Sequence, residues 1–440
     1  MKKRIRFLSL VLLIIVAVIP IASLSATAIT FDCKVNTRSD SILMINLDTG
    51  MEVYSKDPDT RRYPAALTKI MTYIVTVDNI KDLDTRIEIK EKILDKVVNS
   101  GLACSGLDWH TGQKLTVTDI LYALMLPRGN DAAIVLADYI GGGDVSAFVK
   151  LMNEKAQEIG CEDTRFTNPT GVDSADQYTT ARDMMKICRY ALGTPLFSKV
   201  VSTPSFLMEG DDYPLVTTNN MIDAARGGDY FYTYATGIQN GETDKGGMCL
   251  AASALCDGYA YLCICLHAPL NQSDAEEYHE YCMEDATELF RWAFLNLTFK
   301  SPATKDTPIC EQPIKNAWDT QSILLVPDTD LNIVLPADVK EGDITIVPDS
   351  TDPINAPVSK GDVVTTATVY YKGEPFDTIN LVSNEDVSAS PILFFTHGVD
   401  KVLTSPWFLI AVGVVIVLFI IFVSISSSYN KKKRKKQKPE

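Results

Sequence analysis

Hydrophobic positions along the 440-residue chain change their period several times, and each change marks an element. SILMINLD and MEVYSKD flank Thr49-Gly50 and read as a strand hairpin. Leu67, Ile70, Met71, Ile74 and Val77 then recur at three- and four-residue intervals, the spacing of a helix with one buried face. A helix pair surrounds Pro127-Arg128-Gly129. MCLAASAL and AYLCICLH, separated by Asp257-Gly258, form a second predicted hairpin, and a final helix is predicted from Asp274 to Leu295. After Lys300 no helical period survives. Pro302, Pro308 and Pro313 punctuate a linker, and SILLVP, LNIVLP, ITIVPD and VVTTATVYY follow as short strands. The last turns at Lys372-Gly373-Glu374 into PFDTINLVS, completing a small all-β domain.

Two apolar runs lie outside this pattern. Lys2, Lys3, Arg4 and Arg6 precede the run Leu8 to Leu24, and Ala26-Thr27-Ala28 follows with small residues, the order of a secretory signal. Trp407 to Ile425 has no charged residue and would make a helix of roughly 28 Å, close to the apolar thickness of a bilayer. Seven basic residues between Lys431 and Lys438 follow it as a cytoplasmic stop, and Trp407 stands where an interfacial aromatic belongs. The expected organisation is a signal peptide over 1–28, an α/β domain over 29–300, a linker over 301–320 and a small β domain over 321–387. A juxtamembrane linker over 388–405, a transmembrane helix over 406–426 and a basic cytoplasmic tail over 427–440 complete it. The expected location is the cell membrane, single-pass, with the folded part extracytoplasmic.

The formal charge of -15 understates the acidity of that folded part. Setting aside the four basic residues of the leader and the seven of the tail with Glu440 leaves 30 basic against 55 acidic residues. Such a surface argues against nucleic acid as a partner. The ten cysteines all lie between the two apolar runs, where disulfides are permitted, yet none has metal-site spacing. Cys263 and Cys265 alternate within a strand pattern and so share a face; a buried free thiol is as good a reading as a bridge. No metal or cofactor is expected.

Three short segments carry candidate chemistry. Pro64-Ala65-Ala66-Leu67-Thr68-Lys69 heads the first amphipathic helix, Pro127-Arg128-Gly129-Asn130-Asp131-Ala132-Ala133 lies between two helices, and Ala235-Thr236-Gly237 precedes the second hairpin. In order and spacing they resemble the SxxK, SxN and KTG elements of penicillin-binding proteins and class A β-lactamases. The flanking RRYPAALTKIMT, TGQKLTVTDILYALMLPRGNDAA and FTNPTGVDSADQYTTARDM are similar to stretches of the D-alanyl-D-alanine carboxypeptidases. The resemblance spans about Ser41 to Leu295, and the β segment looks like the C-terminal domain these enzymes often carry. It implies an α/β penicillin-recognising (β-lactamase/transpeptidase-like) fold, an antiparallel sheet packed between helices, followed by the small all-β domain; the apolar run adds one transmembrane helix to that expectation.

In that family the lysine of SxxK takes the proton of the serine one helical turn before it. The middle serine relays a proton, the KTG lysine binds the anionic end of the ligand, and the strand after it offers N–H groups to the oxyanion. Here the nucleophile position is Ala66, while the general-base position, Lys69, is retained. The middle serine is Arg128, with Asn130 kept, and the third lysine falls on Ala235, with Thr236 and Gly237 kept. Loss of a serine nucleophile alone removes on the order of a millionfold in rate, roughly 8 kcal/mol of transition-state stabilisation. Thr68 lies about 200° around the helix from Ala66, and Ser105 sits on another segment, so both stand as substitutes only if the fold brings them in. Arg128 is a candidate replacement for the lost cation, gripping a ligand carboxylate, or else a partner of a nearby acid such as Asp131.

The scattered His110, His267, His279 and His397 accompany no plausible nucleophile, and Asn168-Pro169-Thr170-Gly171 reads as a turn whose counterparts border the family's active site. Three functions stay open. One is a non-hydrolytic binder of peptidoglycan stem peptides or of an envelope protein, with Arg128, Asn130, Ala235, Thr236 and Gly237 as its ligand-binding positions. A second is an active carboxypeptidase with a non-standard nucleophile, and a third is a structural surface protein with a vestigial cleft.

Overall fold

A computed structural model describes residues 31–93, 95, 105, 109–271, 278–390 and 405–435. The first expected apolar run therefore lies outside the described residues. The chain forms two compact units, one of 28–300 together with Asn332–Val339, the other of Ser301–Leu331 together with Lys340 onward.

The first unit opens with the hairpin β1 (Ser41–Asn46) and β2 (Glu52–Lys56). A single 3-10 turn, Ala65–Leu67, leads into α1 (Thr68–Asn79). The short pair β3 (Arg86–Glu88) and β4 (Lys114–Thr116) follows, then α2 (Val117–Met125), started by a Thr116–Asp119 capping box. Next come α3 (Asn130–Ile140), α4 (Val145–Ile159), α5 (Ala181–Leu192) and α6 (Phe197–Val201). A second short pair, β5 (Ser205–Phe206) and β6 (Leu215–Val216), precedes the long strands β7 (Ala235–Thr243), β8 (Gly247–Cys256) and β9 (Tyr259–Ala268), and α7 (Tyr281–Asn296) closes the run. The final helix begins later than Asp274, because Tyr278 to Glu280 are not helical and 272–277 lie outside the described residues.

Five of these strands make one antiparallel sheet in the order β2-β1-β9-β8-β7. The β8–β9 turn is the two-residue Asp257-Gly258 with both φ positive, which matches the twist of the paired strands. Alternation along the strands splits the core in two. Leu43, Ile45, Cys249, Ala251, Leu262 and Ile264 pack with α1 to α6, whereas Ile42, Met44, Leu250, Ala252, Cys263 and Cys265 pack with α7. This is the expected sheet between helices, and Cys263 and Cys265 share the α7 face with sulfurs 3.7 Å apart. The nine described cysteines are thiols; Cys104 lies outside the described residues.

The stretch 301–320 is not the bare linker expected from its prolines. It carries the end of β10 (Leu297–Ala303) and β11 (Cys310–Lys315), because Pro302 and Pro313 fall where a strand can do without a donor. Then follow β12 (Ser322–Pro327), β13 (Leu331–Pro336), β14 (Ile344–Pro348), β15 (Ile354–Asn355), β16 (Val363–Tyr371) and β17 (Glu374–Ser383). Six of them form the sheet β14-β16-β17-β12-β11-β15 over a core of Ile314, Ile323, Leu325, Ala367 and Leu381. The strand β13 pairs instead with β10 and buries Val334 in the first unit's α7-side core, its N–H directed at Met51 Sδ. The helix α8 (Pro406–Lys435) holds one stretch, Pro406–Ser426, long and apolar enough to cross a membrane.

Candidate functional site

The 3-10 turn places Ala66 one turn ahead of Lys69. Ala65 has φ 47°, a left-handed conformation that a β-carbon disfavours, and its carbonyl presses on Gly171. A β-carbon on Gly171 (φ +91°) would lie 1.9 Å from that oxygen, so only glycine fits. The Asn168-Pro169-Thr170-Gly171 turn is held by Asn168 Oδ1, which accepts from Thr170 Oγ1 (2.9 Å) and Gly171 N (2.7 Å). The turn expected from the sequence thus seats against the head of α1.

Lys69 is buried, and its Nζ donates to Asn130 Oδ1 (2.8 Å) and to the Thr170 carbonyl (2.5 Å). Burial, reinforced by the positive charge of Arg128, lowers its pKa to about 7, against a smaller opposing pull from Asp131. A neutral amine has two N–H groups, and both are used here. Position 66 offers this amine a methyl group and no hydroxyl to deprotonate.

Arg128, between α2 and α3, also has positive φ (62°), a second non-glycine residue held in the left-handed region at this site. It does not pair with Asp131. That buried carboxylate accepts instead from Ser105 N (3.0 Å), Ser105 Oγ (2.7 Å) and Ala132 N (2.8 Å). The Ser105 hydroxyl is therefore buried and committed, and the buried Thr68 hydroxyl has no partner and lies near Gly171. Neither is placed as an activated nucleophile.

The third segment needs a correction. A β-carbon on Gly237 would meet Val201 of α6, and the Thr236 hydroxyl pairs with Ser253 Oγ at 2.7 Å, so Ala235-Thr236-Gly237 lies away from Ala66. Gly241 is the residue that touches it: a β-carbon there would lie 2.6 Å from Ala66 Cβ and 2.7 Å from Ala66 N. The lysine-Thr-Gly register thus falls on Gln239-Asn240-Gly241, four residues later. Register pairing of Gln239 with Ala251 and Gly241 with Cys249 puts both on the α1 face of the sheet. The lysine position is Gln239, buried, with Nε2 lacking any protein partner.

A shallow cleft of about 70 Å³, partly open to solvent, is lined by Arg128, Thr218, Asn240, Gly241, Glu242, Met248, Cys249, Tyr278, Glu280 and Cys282. It brings together Arg128 and β7, but not Ala235, Thr236 or Gly237. Thr218 Oγ1 and Asn240 Oδ1 are 2.9 Å apart, and Tyr278 donates its hydroxyl to Glu280 Oε1 at 3.2 Å. The sequence reading overlooked Gln239, Glu242, Glu280 and the two thiols. Burial pushes Cys249 up to about 12 and Cys282 well above the ordinary thiol range, so neither is an ionised nucleophile. His267 pairs with Asp40 and His279 with Glu284, neither of them lining the cleft, and His397 lies outside the described residues. Among the described residues no group of side chains has the makings of a metal site.

Comparison with known proteins agrees with this architecture. A family profile for D-alanyl-D-alanine carboxypeptidase matches residues 27–269, and one for the penicillin-binding protein 5 C-terminal domain matches 299–389. The D-alanyl-D-alanine carboxypeptidase DacF of Bacillus subtilis is 26% identical over 81% of this chain and 87% of its own. A D-alanyl-D-alanine carboxypeptidase of Streptomyces sp. strain K15 is 30% identical over 60% of this chain and 94% of its own. The crystal structure of penicillin-binding protein 5 from Haemophilus influenzae superposes with a TM-score of 0.67 at 24% identity, covering 81% of this chain and 99% of that one.

Proposed function

The chain belongs to the D-alanyl-D-alanine carboxypeptidase family, and from that premise we propose that it is a non-hydrolytic member that binds peptidoglycan stem peptides. The observation that carries the reading is the pairing of Ala66 with Lys69. The amine expected to act as base is buried and hydrogen-bonded, and the group it would deprotonate is a methyl. The backbone around that methyl keeps the demanding geometry of a working site, with left-handed Ala65 and Arg128 and with Gly171 and Gly241 in close approach. Strain of this kind, of order 1–3 kcal/mol per residue, persists only where the surroundings impose it. A cleft retained without its nucleophile favours binding over turnover.

Anchoring follows from α8: its apolar stretch would hold the two folded units at the outer face of the membrane, where stem peptides are met. The signal peptide and the cytoplasmic tail belong to the same proposal. A structural role with a vestigial cleft predicts instead that no stem peptide binds.

The test is covalent labelling of the purified full-length chain in detergent with a fluorescent penicillin, read on a gel. The parent should give no adduct. The variant Ala66→Ser, Arg128→Ser, Gln239→Lys should label, because it restores nucleophile, relay and cation to a preserved backbone. Labelling of the parent would overturn the reading and return the active carboxypeptidase to first place.

A further inference from the structure

The changes around β7 alter the electrostatics of the cleft in one direction. Gln239 removes a fixed positive charge from the strand at the register where the family carries its ligand-binding lysine. Glu242, three residues along, and Glu280, from the turn ahead of α7, bring carboxylates to the cleft itself. Arg128 is the one cation among its lining residues, and both acids share that lining with it. Burial and Glu242 hold the Glu280 carboxyl above the usual range while Arg128 pulls it down, so the three groups feel one another. Lys69 adds little: its amine is turned to Asn130 and Thr170, and Arg128 pushes it toward neutrality.

A ligand carboxylate entering here meets two like charges and a guanidinium already balanced by them. An amide meets complementary groups. The two carboxylates suit the N–H groups that an amide offers and a carboxylate lacks.

We propose that this cleft selects peptides whose C-terminal end is uncharged, a carboxamide or a peptide bond that continues, over those ending in a free carboxylate. The inference rests on the peptide-binding reading above and names the form of ligand. It also reverses the part expected of Arg128: its guanidinium offsets Glu242 and Glu280 and does not grip a carboxylate.

Calorimetric titration of the full-length chain in detergent with diacetyl-L-lysyl-D-alanyl-D-alanine, as free acid and as C-terminal amide, tests this. The amide should bind at least about tenfold more tightly, the size of effect one uncompensated like charge produces in a partly buried site. In Glu242→Gln, Glu280→Gln the preference should shrink to about threefold or less, and in Gln239→Lys it should move toward the acid. Thermal melts check that each variant is folded. Binding of both peptides with the acid equal or preferred overturns this inference and leaves the peptide-binding reading standing. Binding of neither peptide overturns both.

Discussion

Lys69 sits in a site where the only change needed to remove chemistry is one hydroxyl, yet its own hydrogen bonds are complete. The unfolded lysine titrates near 10.4, about three units above the folded amine at about 7. Between those values the unfolded chain holds more protons, so this residue makes stability rise with pH from about 7 to about 10. Below pH 7 both states are protonated and the full penalty of a buried ammonium is present. Urea unfolding at pH 7 and 9.5 should therefore show the parent gaining roughly 1–3 kcal/mol relative to Lys69→Met, which lacks this slope. Equal slopes would mean that the amine is not held near neutrality. The identity of this residue, of Ala66 and of Asn130 was legible in the sequence, because a helix fixes what stands one turn away. The commitment of Ser105 to Asp131 was not, because 26 residues separate them.

At the scale of elements, β7 is where pattern reasoning placed the third motif four residues too early. Gly237 and Gly241 are an even number of residues apart on one strand, so period-two alternation puts them on the same face and cannot choose between them. Packing chooses: Gly237 meets Val201, and Gly241 meets Ala66. Gly241→Ala should lower stability by about 1–3 kcal/mol through overpacking, measured as a fall in urea midpoint. Ala66→Gly in the same chain should recover part of the loss, with a coupling of about 0.5–2 kcal/mol in the double-mutant cycle. Additive effects would show that the strand and the turn do not touch.

At the scale of the whole molecule, the chain crosses between its units more than once. Residues 332–339 come back to the first unit, where Val334 is 1% exposed and Ala337 N donates to the Asn296 carbonyl at 2.8 Å. A chain cut after Lys300 loses that strand and leaves apolar surface of the α7-side core uncovered. It should melt several degrees below the uncut chain and bind more of a hydrophobic dye; equal melting would make the returning strand dispensable. Membrane fractionation tests α8: the full chain should pellet with membranes and resist carbonate extraction, and removal of 406–440 should release it.

The sequence by itself determined the class of this protein. Period and turn chemistry are local, so the helices, the hairpins and the apolar stretch of α8 could be read from it, and missing side chains at Ala66 and Arg128 are visible as letters. Contacts between distant segments were decided only in three dimensions. The carboxylates that line the cleft with Arg128 come from positions 242 and 280, the partner of Ser105 is Asp131, and the strand that covers the α7 side starts at 331. No local period encodes such pairings, because they are set by which faces of separately formed elements fit together when the core closes.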